Sequence, residues 1–341
     1  AIYDRVTGYN EYVRPTEPML EEKLRFNWNS AIAQDPFDNN TIYFGSQFVH
    51  KSTDKGVTWN IISPDLTTND KSKQKQDESG GLTMDATGAE NYCTVIAISP
   101  SPVEEGVIWA TTDDGKIQLT KDGGETWTEV GKNIKNLLSF IWIPQVKVSN
   151  TNAGEALIVA NNYRNFDFTP YAYRTKDYGK TWERIVDATD VVGYTLSILQ
   201  DPVEPKLYYL GTDDGLYISI DGATSWSKWK NDYPTVNTMD LVIHPREHDL
   251  VIGTFGRAAW VIDDIRPLRE IAASNAGVLN KKVHLFTPPT AYQAMIQQPT
   301  GTRFGADAMF NGENRNTGAM LSFVVNAPEK PKKGDEEKEE K

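Results

Sequence analysis

The chain has 341 residues, 39% hydrophobic and 11% aromatic with nine Trp, enough to bury a large core. A formal net charge of −12 excludes non-specific nucleic-acid binding, which needs a basic face. No apolar run approaches the roughly 20 residues of a membrane-spanning helix.

Along the chain, 1–28 reads as an N-terminal segment available to complete a blade. Residues 29–271 carry the repeats, 272–328 a connector and further strands, and the Lys/Glu-rich 329–341 a charged linker or tail. The start at Ala1, without Met, is consistent with removal of a targeting segment.

Four eight-residue boxes recur: "STDKGVTW", "TKDGGETW", "TKDYGKTW" and "SIDGATSW". Their acids are Asp54, Asp122, Asp177 and Asp221, spaced by 68, 55 and 44 residues. The shortest interval suits one four-stranded propeller blade, and the longer ones leave room for insertions. A second phrase alternates with the boxes: "AIAQDPFDNNTIYFGS" (31–46), "IAISPSPVEEGVIWATTDDG" (96–115), "SILQDPVEPKLYYLGTDDG" (197–215) and "LVIHPREHDLVIGTFGR" (241–257). In each, an apolar strand ends at a Pro, which cannot donate to the ladder, and a β-branched or aromatic strand follows. The unit therefore reads as strands A, B, C and D, with A near 94–99, B near 106–111, C near 116–120 and D starting near 126–127 in the second copy. Asp-Gly in "TTDDGKIQ" marks the B–C hairpin, and the box is the C–D turn.

The box reads as structure rather than chemistry. The Asp carboxylate caps its own turn, Gly56, Gly124 and Gly179 supply a positive φ, and Trp59, Trp127, Trp182 and Trp226 bury their rings across the blade. The fourth copy, with Ala223 and Ser225, is the most decayed. Five blades follow, at about 29–63, 92–132, 140–186, 193–232 and 237–265. The fifth has no box and lacks an outer strand, which the N-terminal segment is placed to supply.

The boxes resemble those of the bacterial-neuraminidase-repeat superfamily of sialidases, xyloglucanases and sortilin-type receptors. "RFNWNSAIAQDPFDNNTIYFGSQFVHKSTDKGVTWNIISPDLTTND" and "LVIGTFGRAAWVIDDIRPLREI" are similar to large exported bacterial sortilin-like proteins with glycosyl-hydrolase-related repeats. The resemblance covers about 25–326. It implies an all-β Asp-box propeller, possession of only a C-terminal portion of a longer chain, and a periplasmic or cell-surface location. "HLFTPPTAY" (284–292) and "GAMLSFVVN" (318–326) fit the β-sandwich-like region that follows the propeller in those proteins.

The A–B and C–D turns lie on one face of such a blade, and the B–C turns lie on the other. The B–C face collects Gly45–Gln47, Thr112–Gly115, Asn161–Asp167, Thr212–Gly215, Phe255–Arg257 and the long insertion 63–91. Two function classes compete there. A glycoside hydrolase needs two carboxyls across the scissile bond, and Asp113, Asp114, Asp213 and Asp214, with Asp85 and Glu90 from the insertion, are the candidates. Asp-Asp-Gly is also ordinary hairpin chemistry, and the arginine triad and "FRIP" segment of sialidases are missing. A recognition module instead uses "NNYRNFDFTPYAY" (161–173), with Tyr163, Phe166, Phe168 and Tyr171 beside Arg164, Asp167 and Pro170. Arg257 either binds an anion in the channel or pairs with Asp263 or a neighbouring acid.

Cys93 reads as a small buried hydrophobe on a strand. His50, His244, His248 and His284 are scattered, and Pro245 breaks the only helical His spacing, which argues against zinc. Acidic turns suit Ca²⁺, although no D-x-D-x-D-G loop occurs; otherwise no cofactor is expected. The reading is a non-catalytic extracytoplasmic propeller that recognises a protein or glycan, as a scaffold or within a cell-envelope assembly. The alternative is the glycoside hydrolase.

Overall fold

The computed structural model describes residues 2–16, 23–74, 91–291 and 318–326. The all-β expectation holds. Four antiparallel four-stranded sheets follow one another in chain order, then a three-stranded one. The first contains β3 (Ile32–Gln34), β4 (Ile42–Gly45), β5 (Val49–Ser52) and β6 (Asn60–Ile61). The second contains β7 (Val95–Pro100), β8 (Ile108–Thr112), β9 (Ile117–Thr120) and β10 (Thr128–Glu129). The third contains β11 (Trp142–Val148), β12 (Ala156–Asn162), β13 (Asp167–Thr175) and β14 (Glu183–Arg184). The fourth contains β15 (Thr195–Gln200), β16 (Tyr208–Thr212), β17 (Gly215–Ser219) and β18 (Ser227–Lys228). The fifth has β19 (Thr238–Ile243), β20 (Leu250–Thr254) and β21 (Ala259–Ile262).

Within a sheet each strand pairs with its sequence neighbour, as the A–B–C–D reading requires. Successive blades meet through B-strand ends and the next inner strand. Val95 N–H donates to Ser46 O, Thr111 Oγ1 to Ile143 O, and Thr195 Oγ1 to Ala160 O. Between the fourth and fifth sheets the inner strands meet directly, Ser197 Oγ donating to Thr238 O. Core side chains interleave between neighbouring blades: Val107, Trp109 and Ile117 pack with Ile141, Ile143 and Ile158. This is face-to-face sheet packing, with alternate strand residues directed into each interface.

The four boxes share one hydrogen-bond scheme. Asp Oδ1 accepts from the N–H four residues on, at Thr58, Thr126, Thr181 and Ser225. The hydroxyl of that same residue donates to Oδ2 at 2.5–2.6 Å in every copy. The residue after the Asp donates its N–H to the A–B turn of its own blade, as Lys55 to Asn40 O and Gly123 to Gly106 O. Both chain reversals therefore lie at the same end of the blade. Both residues after the Asp have positive φ, for example Gly123 at 72° and Gly124 at 108°. The sequence reading identified the second position only. Ala223 takes φ 67° and Ser225 keeps both hydroxyl and amide bonds, so the fourth turn is intact despite its altered letters.

The Trp side chains correct the expectation that they fold across their own blade. Trp127 Nε1 donates to Ile62 O, Trp182 Nε1 to Val130 O, and Trp226 Nε1 to Ile185 O, all at the outer end of the preceding blade. A Cβ on Gly124 would come 2.6 Å from Ile62 O, so the glycine is also needed for this close approach.

The N-terminal segment does not complete the fifth blade among the described residues. Its β1 (Ile2–Tyr3) and β2 (Asn10–Glu11) pair with each other. Val13 then lies against the first box, its Cγ2 3.2 Å from a Cβ built on Gly56. That is the place Val130 takes at Gly179. Further on, buried Arg25 donates to Asp65 and to Cys93 O, and Asn27 to Thr94 and Asp113.

The chain divides into two compact units, Ala1–Val242 with Ile252–Trp260, and Ile243–Val251 with Val261–Lys341. The second unit contains α1 (Arg266–Ala273), unforeseen in the sequence, with Ile265, Ala272, Val278 and Phe286 buried. It also pairs β22 (Val283–Leu285) with β23 (Phe323–Val325), the latter inside the "GAMLSFVVN" segment. The tail 329–341, Asp85, Glu90 and most of the 63–91 insertion lie outside the described residues.

Candidate functional site: the B–C turn face and inner channel

The candidate acids sit on B–C turns as expected, but each is engaged by its surroundings. Asp113 is wholly buried; Oδ1 accepts from Thr94 N–H, and Oδ2 from Thr94 Oγ1 and Asn27 Nδ2. Burial and the neighbouring Asp114 push its pKa up to about 8, against the lowering effect of those donors. Asp114 accepts from Thr68 N–H, Thr68 Oγ1 and Thr112 Oγ1. Asp213 repeats the Asp113 clamp, accepting from Tyr194 N–H at 2.9 Å, and burial raises its pKa. Asp214 binds Lys228 Nζ at 2.7 Å and accepts from Tyr217 Oη. These bonds fasten each B–C turn to the start of strand A or to strand C or D of the same blade or, through Thr68 and Asn27, to the chain flanking the first blade. Asp114 and Glu129 line one cavity of about 290 Å³, where Glu129 is paired with Lys116 at 3.0 Å.

The aromatic loop is divided between support and exposure. Tyr171 turns inward and donates to Asp167, while the Arg184 guanidinium covers its ring. Tyr163 stacks on Tyr194 with centroids 4.5 Å apart, and Phe168 lies 6.2 Å from the same ring. Phe166 is 88% exposed and Phe168 54% exposed. Tyr194, at the start of the fourth blade, was missed in the sequence because its partner Tyr163 is 31 residues away. Arg164 lies over Trp142 at 3.8 Å and Tyr163 at 4.5 Å from the ring centroids. Such stacking holds the guanidinium plane and leaves its N–H edge for a ligand.

Beneath this loop is a cavity of about 700 Å³, lined by the inner strands of several blades. Its wall includes Ile32, Ile96, Trp142, Lys147, Asn161 and Arg164. That volume falls within the range of small-molecule and glycan pockets. Asn161 is only 2% exposed; its Nδ2 donates to Thr195 O, while Oδ1 is buried without a hydrogen-bond partner.

Arg257 lies exposed, with its carbonyl accepting from Trp260 Nε1. Cys93 is buried, as expected, but stands just before a strand at φ 59°, and burial pushes its thiol up to about 11. His244 Nδ1 accepts from Glu247 N–H and His248 contacts Arg269, both within a turn. Among the described residues no group of three or more His, Cys, Asp or Glu side chains is arranged to hold a metal ion. No helix of the described chain is long and apolar enough to cross a membrane.

The model of the Sortilin-Vps10 family (sortilin, neurotensin receptor 3) matches residues 170–266. No curated protein matches the sequence. Among solved structures, the GH74 xyloglucanase from Xanthomonas campestris is similar at 16% identity and TM-score 0.51, covering 69% of this chain and 36% of its own. An ancestral GH74 enzyme matches at 16% identity and TM-score 0.48, over 69% of this chain and 29% of its own. YCF48 from Cyanidioschyzon merolae matches at 13% identity and TM-score 0.46, over 73% and 72%. The chain thus spans about a third of the length of the GH74 structures. The four box turns and the A–B–C–D sheets make this an Asp-box β-propeller, a fold it shares with the GH74 xyloglucanase, and residues 170–266 are similar to the Sortilin-Vps10 family.

Proposed function

We propose that this propeller is a non-catalytic recognition module that binds a glycan or protein partner on its B–C turn face, outside the cytoplasm and within a cell-envelope assembly. The observation that carries the reading is the contrast on that face. Asp113, Asp114, Asp213 and Asp214 are engaged by their own turns and flanking segments, whereas Phe166, Phe168 and the stacked Tyr163–Arg164 pair face outward or into the cavity. A general acid and its partner need freedom to reach a glycosidic oxygen and a water or anomeric carbon. Rigid aromatics beside a cation suit binding without turnover, because they present contact area at low entropic cost. The reading calls for no cofactor.

The test pairs binding with turnover. Panels of immobilised glycans and peptides are expected to retain the protein, and Tyr163→Ala with Phe168→Ala to abolish retention. Xyloglucan and related β-glucans are expected to release no reducing ends. Release that disappears in Asp113→Asn or Asp114→Asn would establish the glycoside hydrolase instead.

A further inference from the structure

The cavity under the aromatic loop holds two unmet binding valences. Arg164 makes no ion pair among the described residues, and its faces are occupied by Trp142 and Tyr163, so its in-plane donors remain. Asn161, in the same lining, has a buried Oδ1 acceptor with no donor. Its Nδ2 is fixed by Thr195 O at 3.3 Å, so flipping the amide would set two oxygens against each other. Lys147 and Asp240 also line the wall and pair with each other at 3.8 Å, which leaves Arg164 as the cation of the lining without an ion pair. Buried polar atoms without partners are rare in folded proteins, and one in a cavity wall calls for a donor.

Resting on the recognition reading, we propose that this cavity binds a hexuronate residue of an acidic polysaccharide. The sugar carboxylate meets the planar Arg164 fork. A ring hydroxyl donates to Asn161, and the apolar ring face lies against Ile32 and Ile96. One rigid ring carries an anion and several hydroxyls together. A peptide spanning the same two groups would have to order several rotors, which favours the sugar.

The experiment titrates the whole chain with trigalacturonate, its methyl ester, a neutral galactan trisaccharide and a tripeptide with a free C-terminus. Calorimetry and the fluorescence of Trp142 under Arg164 report binding. Trigalacturonate is expected to saturate the site and the other three to bind at least tenfold more weakly. Arg164→Gln is expected to lose about tenfold to a hundredfold, the effect of a lost charge-assisted hydrogen bond. Arg164→Lys keeps charge without the fork and loses less, and the unfolding midpoint of each variant checks that the fold is retained. Absence of trigalacturonate binding, equal binding of the methyl ester, tighter binding of the tripeptide, or an undiminished Arg164→Gln variant overturns the proposal. Binding of the neutral trisaccharide alone overturns it while leaving the recognition reading in place; hydrolysis of any glycan overturns the recognition reading itself.

Discussion

His50 shows how much a single side chain can depend on distant ones. It lies on β5, with Nε2 2.7 Å from Ser46 Oγ and its ring stacked near Phe26. Burial lowers its pKa to about 4, so the fold holds the neutral imidazole. The unfolded chain binds that proton near pH 6.5, so the stabilisation is complete above that pH and is lost as pH falls towards 4. Its limit is about 3 kcal/mol at about 1.4 kcal/mol per pKa unit. Asp113, held protonated in the fold up to about pH 8, acts in the opposite direction over the same range, so the test is a difference. Between pH 7 and 4.5 the urea midpoint of the wild type is expected to lose ground relative to that of His50→Gln, and parallel curves would exclude the His50 contribution. The box acids titrate lower still, Asp54 at about 2 because Thr58 and Ser52 donate to it, so their support is lost only below that window. The B–C acids could be placed on turns from Asp-Asp-Gly alone. Their bonds to Asn27 and Thr68 could not, because those partners are 86 and 46 residues away.

At the scale of the element, the box turn was legible because the Asp and the amide and hydroxyl that it accepts from lie within eight letters. The Ser or Thr that opens each copy went unassigned, although Ser52, Thr120, Thr175 and Ser219 all accept the N–H two residues past the Asp. The Trp direction was illegible, since an indole can pack on either side of a blade. The three inter-blade indole bonds set a measurable pattern. Trp127→Phe and Trp226→Phe remove the indole donor from Ile62 O and Ile185 O, at about 1–2 kcal/mol each beyond the smaller ring, whereas in Trp182→Phe Val130 O keeps the Asn133 N–H and the cost falls towards that of the ring alone. Trp59 Nε1 is buried with no partner, so Trp59→Phe is expected to cost less than Trp127→Phe or Trp226→Phe. Chemical denaturation of the four variants decides this; equal costs would mean that ring packing alone matters.

For the molecule as a whole, the first described blade differs from the others in what packs beside its box, where Val13 takes the place that Val130 takes at Gly179. The N-terminal hairpin covers part of that flank. Its β2 begins six residues after Asp4, as β6 begins six after Asp54, and Asp4 Oδ1 accepts from Val6 and Thr7 N–H. Val13 and the buried Pro15 continue from it beside Gly56. Deleting residues 1–15 is expected to remove about 1–2 kcal/mol of stability, the burial of roughly one apolar side chain, and to red-shift Trp59 emission. Unchanged stability and emission would make the hairpin a passenger.

Sequence by itself determined what recurs locally: strand order, turn positions and the all-β class follow from periodic strands, prolines that stop them and glycines that reverse them. Only the tertiary structure decided which blade each Trp joins, that the first strands pair with each other, and that Arg164 lies over Trp142 beside an unpartnered Asn161. Those outcomes depend on contacts between segments tens of residues apart, where many pairings have similar local preference. Packing and hydrogen-bond satisfaction across neighbouring blades select among them.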